Sequence, residues 1–302
     1  MKTKAGIRPP DVLKHLSVSL DAGWKRYRKL LKRCQAGFSE EAVHDSRVAT
    51  RRLLSTIELL GVFIPQGDLE KARRALKDHL DTFDKLRDTQ VQLDYVRRME
   101  RAFPAARAFR GWLEAREKKF TRRTRKAVRD IKTKSTGRFI GAFQAEIRRL
   151  RDLTGRKEAF DTVQQAVNRA FAGVAQRCRR VTAEDTDTIH RTRIAFKKFR
   201  YMVEALSPLL PAVTEEHCRA LRGYQSMMGD IQDVEVLIGA MEKFITREPV
   251  NPRSASRLRE ELLRRRQWLV RVYLNAADRL RQFWPPGHLV AKPAVKHEHQ
   301  TS

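Results

Sequence analysis

The chain has 302 residues, 41% of them apolar, which is enough for a buried core and excludes general disorder. Its 64 Lys and Arg outnumber 36 Asp and Glu, leaving a net charge of +28 that repels itself and implies an anionic partner: nucleic acid, polyphosphate or an anionic membrane. Cys34, Cys178 and Cys218 form no CxxC pair and read as reduced thiols of a cytosolic protein; the N-terminal stretch lacks the apolar segment of a secretory signal, and no apolar run is long enough to span a bilayer.

Apolar residues recur at three- and four-residue spacing and alternating β-branched runs are absent, so the fold class is all-α. Pro9 and Pro10 precede a first helix over residues 12–34. Gly37 and Phe38 break it, and Ser39 with Glu40 and Glu41 opens a second helix, acidic groups favouring a helix N-terminus. In that helix His44, Arg47 and Arg51 share one face, while Val43, Leu53, Leu54, Ile57 and Leu60 lie opposite, towards a core. Gly61, Pro65 and Gly67 end it. The spacing then predicts a third helix over 69–100, an interruption at Pro104 and a strongly basic helix over 112–132. Lys134 to Gly137 form a break before a helix over 139–150.

From about Ala159 the plan repeats. His190 stands 146 positions after His44 (190 − 44), and the same shift lays Arg193 on Arg47, Lys197 on Arg51 and Lys198 on Arg52. Neighbouring shifts lay Arg169 on Lys25, Cys178 on Cys34 and Asp233 on Asp88. Pro208, Pro211 and Gly229 mark breaks in the second half, and residues 257–281 match the long basic helix. This is a tandem duplication of a roughly four-helix unit, with repeats over 10–153 and 158–284 in one domain, 1–284. Thr154 to Lys157 form the junction, and residues 285–302 are expected to be a disordered tail. Packing about a pseudo-twofold axis would set the two cationic stripes across one shared surface.

Such a stripe suits a phosphate chain. Arg presents a planar fork to two oxygens at once, and Lys adds a mobile point charge. Histidine adds a donor whose charge depends on pH, so binding is expected to tighten as pH falls through the histidine range. Lys119 and Lys126 match Arg264 and Arg271, which favours these four among the outer cations. Of Asp81, Asp84 and Asp88 only Asp88 is echoed in the second half, so a structural role is expected for that run, and Glu58 and Glu204 are expected to hold Arg side chains. Trp112, Phe120, Phe139, Phe143, Trp268, Tyr273 and Phe283 read as mostly core. His288, His297 and His299 lack zinc-like spacing, and no duplicated nucleophile, base or carboxylate cluster exists, so neither metal, cofactor nor catalysis is expected. Nucleic acid is expected as a weaker, salt-sensitive ligand, because no GxxG loop, RNP motif or zinc finger accompanies the charge. No large apolar face supports lipid attachment.

The segments VHDSRVATRR and IHRTRIAFKKFRYMVEAL, with LRDTQVQL and YQSMMGDIQDVEVL, resemble the conserved histidine α-helical domain, or CHAD domain, over about residues 10–284. The resemblance implies a duplicated, pseudo-twofold helical bundle whose basic central channel binds inorganic polyphosphate. His44, Arg47, Arg51 and Arg52 would line it with His190, Arg193, Lys197, Lys198 and Arg200, and Lys25, Lys119, Arg122, Lys126, Arg264 and Arg271 would add outer contacts. Some members carry a fused triphosphatase domain with alternating acidic residues. No such segment is present, so a stand-alone, non-catalytic module is expected, cytoplasmic and associated with polyphosphate granules. Leu54 stands where the second motif has Arg200, so the first half is expected to grip less tightly.

Overall fold

The structure, a computed structural model, describes residues 9–285. Among them ten α-helices follow one another: α1 (Val12–Ala36), α2 (Glu40–Leu60), α3 (Gln66–Asp81), α4 (Asp84–Met99), α5 (Pro104–Arg129), α6 (Lys134–Leu153), α7 (Arg156–Cys178), α8 (Thr186–Leu206), α9 (Glu215–Arg247) and α10 (Pro252–Ala276). A three-residue 3-10 segment (Ser207–Leu209) follows α8 and a six-residue one (Ala277–Gln282) follows α10.

Both α2 and α8 open on a side-chain cap. The Ser39 hydroxyl accepts from the Ala42 amide at 3.1 Å, and Glu40 and Glu41 occupy the first turn of α2. The residue 146 positions later, Asp185, caps α8 by accepting from the Asp187 amide at 3.0 Å. Thr214 caps α9 and Asn251 caps α10, each through its side chain. Behind each cap an apolar stripe enters the core: Leu53, Ile57 and Leu60 on α2, Phe196, Phe199 and Val203 on α8, all fully buried. Each is worth roughly 1.5–3 kcal/mol of burial. Phe196 packs against Tyr224 of α9 and Phe283 beyond α10, with ring centroids 4.9 and 5.8 Å apart. Leu54 is only half-buried, and Trp268 is exposed rather than core, with Arg265 lying over its ring.

Four pairs of helices that the sequence shift relates are in contact. Helix α1 meets α7, α2 meets α8, α4 meets α9 and α5 meets α10, so each of these helices touches the one that the sequence shift lays on it. This is the contact pattern expected of two halves about a pseudo-twofold axis. Helix α6 packs on α1 and α3, and the shift lays most of it on residues outside the described ones.

Several boundaries differ from the sequence reading. The helix expected over 69–100 is broken at Thr82 and Phe83, and the break expected at Gly229 is absent: Gly229 lies inside the 33 residues of α9. The Thr82 hydroxyl donates to the Asp78 carbonyl at 2.9 Å, a local bond that competes with the helix ladder and favours a bend. An isolated helical glycine costs only about 1 kcal/mol against alanine, which the buried face of α9 outweighs. Pro104 opens α5 as its first residue, where its missing N–H is not needed, rather than interrupting a helix. Lys134 to Gly137 form the first turn of α6, not a break, and the second basic helix begins at Pro252 and ends at Ala276. At the expected junction Thr154 is the C-cap of α6 and Gly155 the N-cap of α7. Of the expected tail, residues 286–302 lie outside the described residues.

Candidate anion-binding site

Where α2 and α8 meet, their basic faces adjoin. Lys197 of α8 registers the result: burial pushes its ammonium down, and Arg51, Arg193 and Arg47 push it further, to about 8 from 10.5, with Asp84 the opposing influence. Two cations from each half therefore act within one electrostatic field. Arg47 is buried, and burial with the neighbouring Arg51 pulls its guanidinium down while Asp84, bonded to its Nη1 at 3.1 Å, pulls it back.

The cluster is short of acceptors. The Nε atoms of Arg51 and Arg193 are buried and have no hydrogen-bond partner. Leaving such a donor unmet costs about 1–3 kcal/mol, which an arriving anion would relieve. Nearby, Asp88 of α4 lies within the electrostatic reach of Asp233 of α9. Burial pushes both carboxyls up; Asp84 and Asp233 add to this at Asp88, Asp230 adds to it at Asp233, and Arg47, Arg193 and Arg87 counter it.

Other expected site residues have partners of their own. Lys198 crosses between the halves to Glu58 at 2.8 Å, and Glu58 also takes Arg73 at 2.9 Å. Burial pushes the Glu58 carboxyl up, but Lys198 and Arg73 outweigh it and hold the group below its ordinary range. Arg200 is buried, with Nη1 on Glu204 at 2.7 Å, Nε on Gln225 at 2.8 Å and its guanidinium stacked on Tyr201. These bonds make Arg200 a packing cation rather than an open ligand contact. As expected, Glu58 and Glu204 each hold basic side chains, Glu204 taking Arg222 as well. Arg52 is exposed and makes no ion pair among the described residues.

The histidines differ. His44 is exposed, whereas the Nδ1 atom of His190 is buried and unpartnered. His190 borders a cavity of about 130 Å³ that also holds Asp187 and Glu235, so it stands between the cations of α8 and an acidic recess. Lys25, Lys119, Arg122, Lys126, Arg264 and Arg271 are all exposed. Lys25 pairs with Asp21 and Arg264 with Glu261, and no hydrogen bond or ion pair joins any of the six to the cluster among the described residues. Sequence reasoning missed Arg87 of α4, which acts on Arg47, Asp88 and Asp233. Its counterpart is Gln232, so a search for duplicated cations passes over it.

Among the described residues no group of three or more His, Cys, Asp or Glu is placed to hold a metal ion, and no helix is long and apolar enough to cross a membrane. The family model for the CHAD domain matches residues 20–242 of the chain. Two solved structures share the fold. The crystal structure of the CHAD domain from the plant Ricinus communis is 19% identical, with a TM-score of 0.62 over 91% of this chain and 95% of that one. PptA from Streptomyces chartreusis is 15% identical, with a TM-score of 0.63 over 89% of this chain and 99% of its own. No curated protein matches the sequence.

Proposed function

Given that the chain belongs to the CHAD family, we propose that it binds inorganic polyphosphate without catalysis, through the cations gathered between α2 and α8. The observation that carries this reading is the meeting of Arg47 and Arg51 with Arg193 and Lys197, while two buried guanidinium Nε atoms lack acceptors. A phosphate chain carries about one charge on each internal unit and presents oxygens all round. It can therefore satisfy several of these donors in succession without any base being read. Cytoplasmic residence and recruitment to polyphosphate granules are the biological setting this reading implies.

The test removes charge inside and outside the cluster. Arg51→Ala with Arg193→Ala is expected to weaken binding of long-chain polyphosphate at least about tenfold more than Lys119→Ala with Lys126→Ala, a gap of about 1.4 kcal/mol. Equal losses would mean that charge acts diffusely and that no site exists between α2 and α8.

A second reading, non-specific binding of nucleic acid, is favoured by the net charge of +28 and by Trp268, 45% exposed, with the Arg265 guanidinium 4.3 Å from its ring centroid. An exposed indole with a cation on its face is a stacking platform for bases. Trp268→Ala is expected to weaken single-stranded nucleic-acid binding and leave polyphosphate binding unchanged.

A further inference from the structure

Beside Arg47 and Arg193 the two sides of the cationic cluster differ in their carboxylates. Arg47 and Arg193 are matched, and each has a matched carboxylate in its electrostatic neighbourhood, Asp88 for Arg47 and Asp233 for Arg193. Arg47 has a second carboxylate, Asp84, bonded to it at 3.1 Å. A shift of 145 (229 − 84) lays Gly229 on Asp84, so Arg193 receives no corresponding bond. Its Nε atom is buried without a partner, and its guanidinium makes no ion pair among the described residues.

Backbone geometry accentuates the difference. The break at Thr82 and Phe83 puts Asp84 in the first turn of α4, where a carboxylate is favoured by the helix dipole and can turn towards α2. On the other side α9 runs through without a break, and glycine is a poor choice for a helix interior. A Cβ at Gly229 would stand 3.8 Å from Arg193 Nε, an ordinary contact, and meet nothing else within 4 Å. Space for a Cβ beside Arg193 is therefore open, and the residue that the shift lays on Asp84 brings no side chain there.

We propose that phosphate enters first on the second-half side, at Arg193 with Arg51 and Lys197 beside Gly229, and that Asp84 is an internal anion which occupies Arg47 until a longer chain displaces it. This rests on the polyphosphate reading above and adds to it an order of occupancy and a built-in competitor. A short chain of three phosphates then needs only the Arg193 side, whereas a long chain also draws Arg47 away from Asp84.

The experiment titrates the full chain with tripolyphosphate and with long-chain polyphosphate, comparing Asp84→Asn, Gly229→Asp, Arg47→Ala and Arg193→Ala. Asp94→Asn, on an exposed surface pair with Arg97, adds the same charge as Asp84→Asn without touching Arg47. Each variant is first checked for helical content and a cooperative melt. For tripolyphosphate, Arg193→Ala is expected to cost at least about tenfold in affinity and Arg47→Ala less than about threefold. Asp84→Asn is expected to tighten long-chain binding about threefold or more, beyond any gain in Asp94→Asn, and Gly229→Asp to weaken tripolyphosphate binding about tenfold. In the Asp84→Asn background the loss from Arg47→Ala should grow. Equal losses from Arg47→Ala and Arg193→Ala, or no gain from Asp84→Asn beyond the charge control, would overturn the asymmetry while leaving polyphosphate binding in place. If the unmodified chain binds neither probe, the function itself is wrong and the asymmetry falls with it.

Discussion

Lys197→Met should make the free protein more stable at neutral pH while weakening its hold on polyphosphate. Lys197 is held at about 8 in the folded chain against an ordinary 10.5, because burial and the neighbouring Arg51 and Arg193 disfavour its charge. That gap of about 2.5 pH units corresponds to about 3 kcal/mol of penalty on the charged form, at about 1.4 kcal/mol for each unit. Below pH 8 the lysine is protonated both folded and unfolded, so the folded state bears the whole penalty. Between about 8 and 10.5 the folded chain has released the proton and the unfolded chain retains it, so stability rises with pH across that window. Methionine keeps the length and removes the charge. The variant is expected to be about 2 kcal/mol more stable than the unmodified chain near pH 7, after allowance for relaxation around the ammonium, and the gap should narrow from about pH 8 and close only above about 10.5. Denaturant unfolding of both proteins at three pH values between about 7 and 9.5 measures it. A variant that is less stable near pH 7, or a gap that stays constant across the range, would refute the reasoning.

The same lysine predicts the alkaline limb of binding. A polyanion favours the charged form, so affinity should fall as pH rises above about 8, and Lys197→Arg, which does not deprotonate, should abolish that fall in a pH series of binding titrations. Engagement of four cluster cations predicts that log affinity falls with log salt at a slope of about −3, read from titrations across a salt series; a slope near zero would contradict charge-driven binding. Glu58→Gln should cost about 1 kcal/mol near neutral pH by releasing Lys198 and Arg73, both well exposed. Because the Glu58 carboxyl is held below its ordinary range, that difference should vanish as pH falls through and below that range. Leu53→Ala, at a fully buried position of α2, should destabilise by about 3 kcal/mol in denaturant unfolding.

Much of this architecture is legible locally. Ser39, the basic residues that follow it and the apolar residues on the far face of α2 are set by helical spacing alone. The same pattern recurs in α8, and packing of two like halves would bring α2 to α8, where the two helices do meet. Breaks are less legible, because they depend on the balance of packing against a weak local cost. Gly229 is a helix-breaker by propensity yet sits within α9, whereas Thr82 and Phe83, with no Gly or Pro, end a helix at a buried phenylalanine. Side-chain partners are hardest to read. Arg200 and Lys198 look alike as cations of α8, but Gln225 and Glu58, on other helices, decide that one is buried in a network and the other bridges the halves. Reliance on duplication also had a cost. A search for repeated cations points to Arg51 and Lys197 and passes over Arg87; that Asp84 has no counterpart is legible in the sequence, but its bond to Arg47 is a tertiary contact. The weaker grip expected of the first half because of Leu54 does not follow from that position, since its counterpart Arg200 is engaged elsewhere; the contrast beside Arg47 and Arg193 lies instead at Asp84.

The measurement that tests the account most directly is competition at near-physiological salt between long-chain polyphosphate and nucleic acid, single- and double-stranded, matched for total charge. The cluster between α2 and α8 predicts a preference for polyphosphate of at least about tenfold, or about 1.4 kcal/mol, that Arg51→Ala with Arg193→Ala removes. Equal or tighter binding of nucleic acid, unaffected by those substitutions, would contradict it.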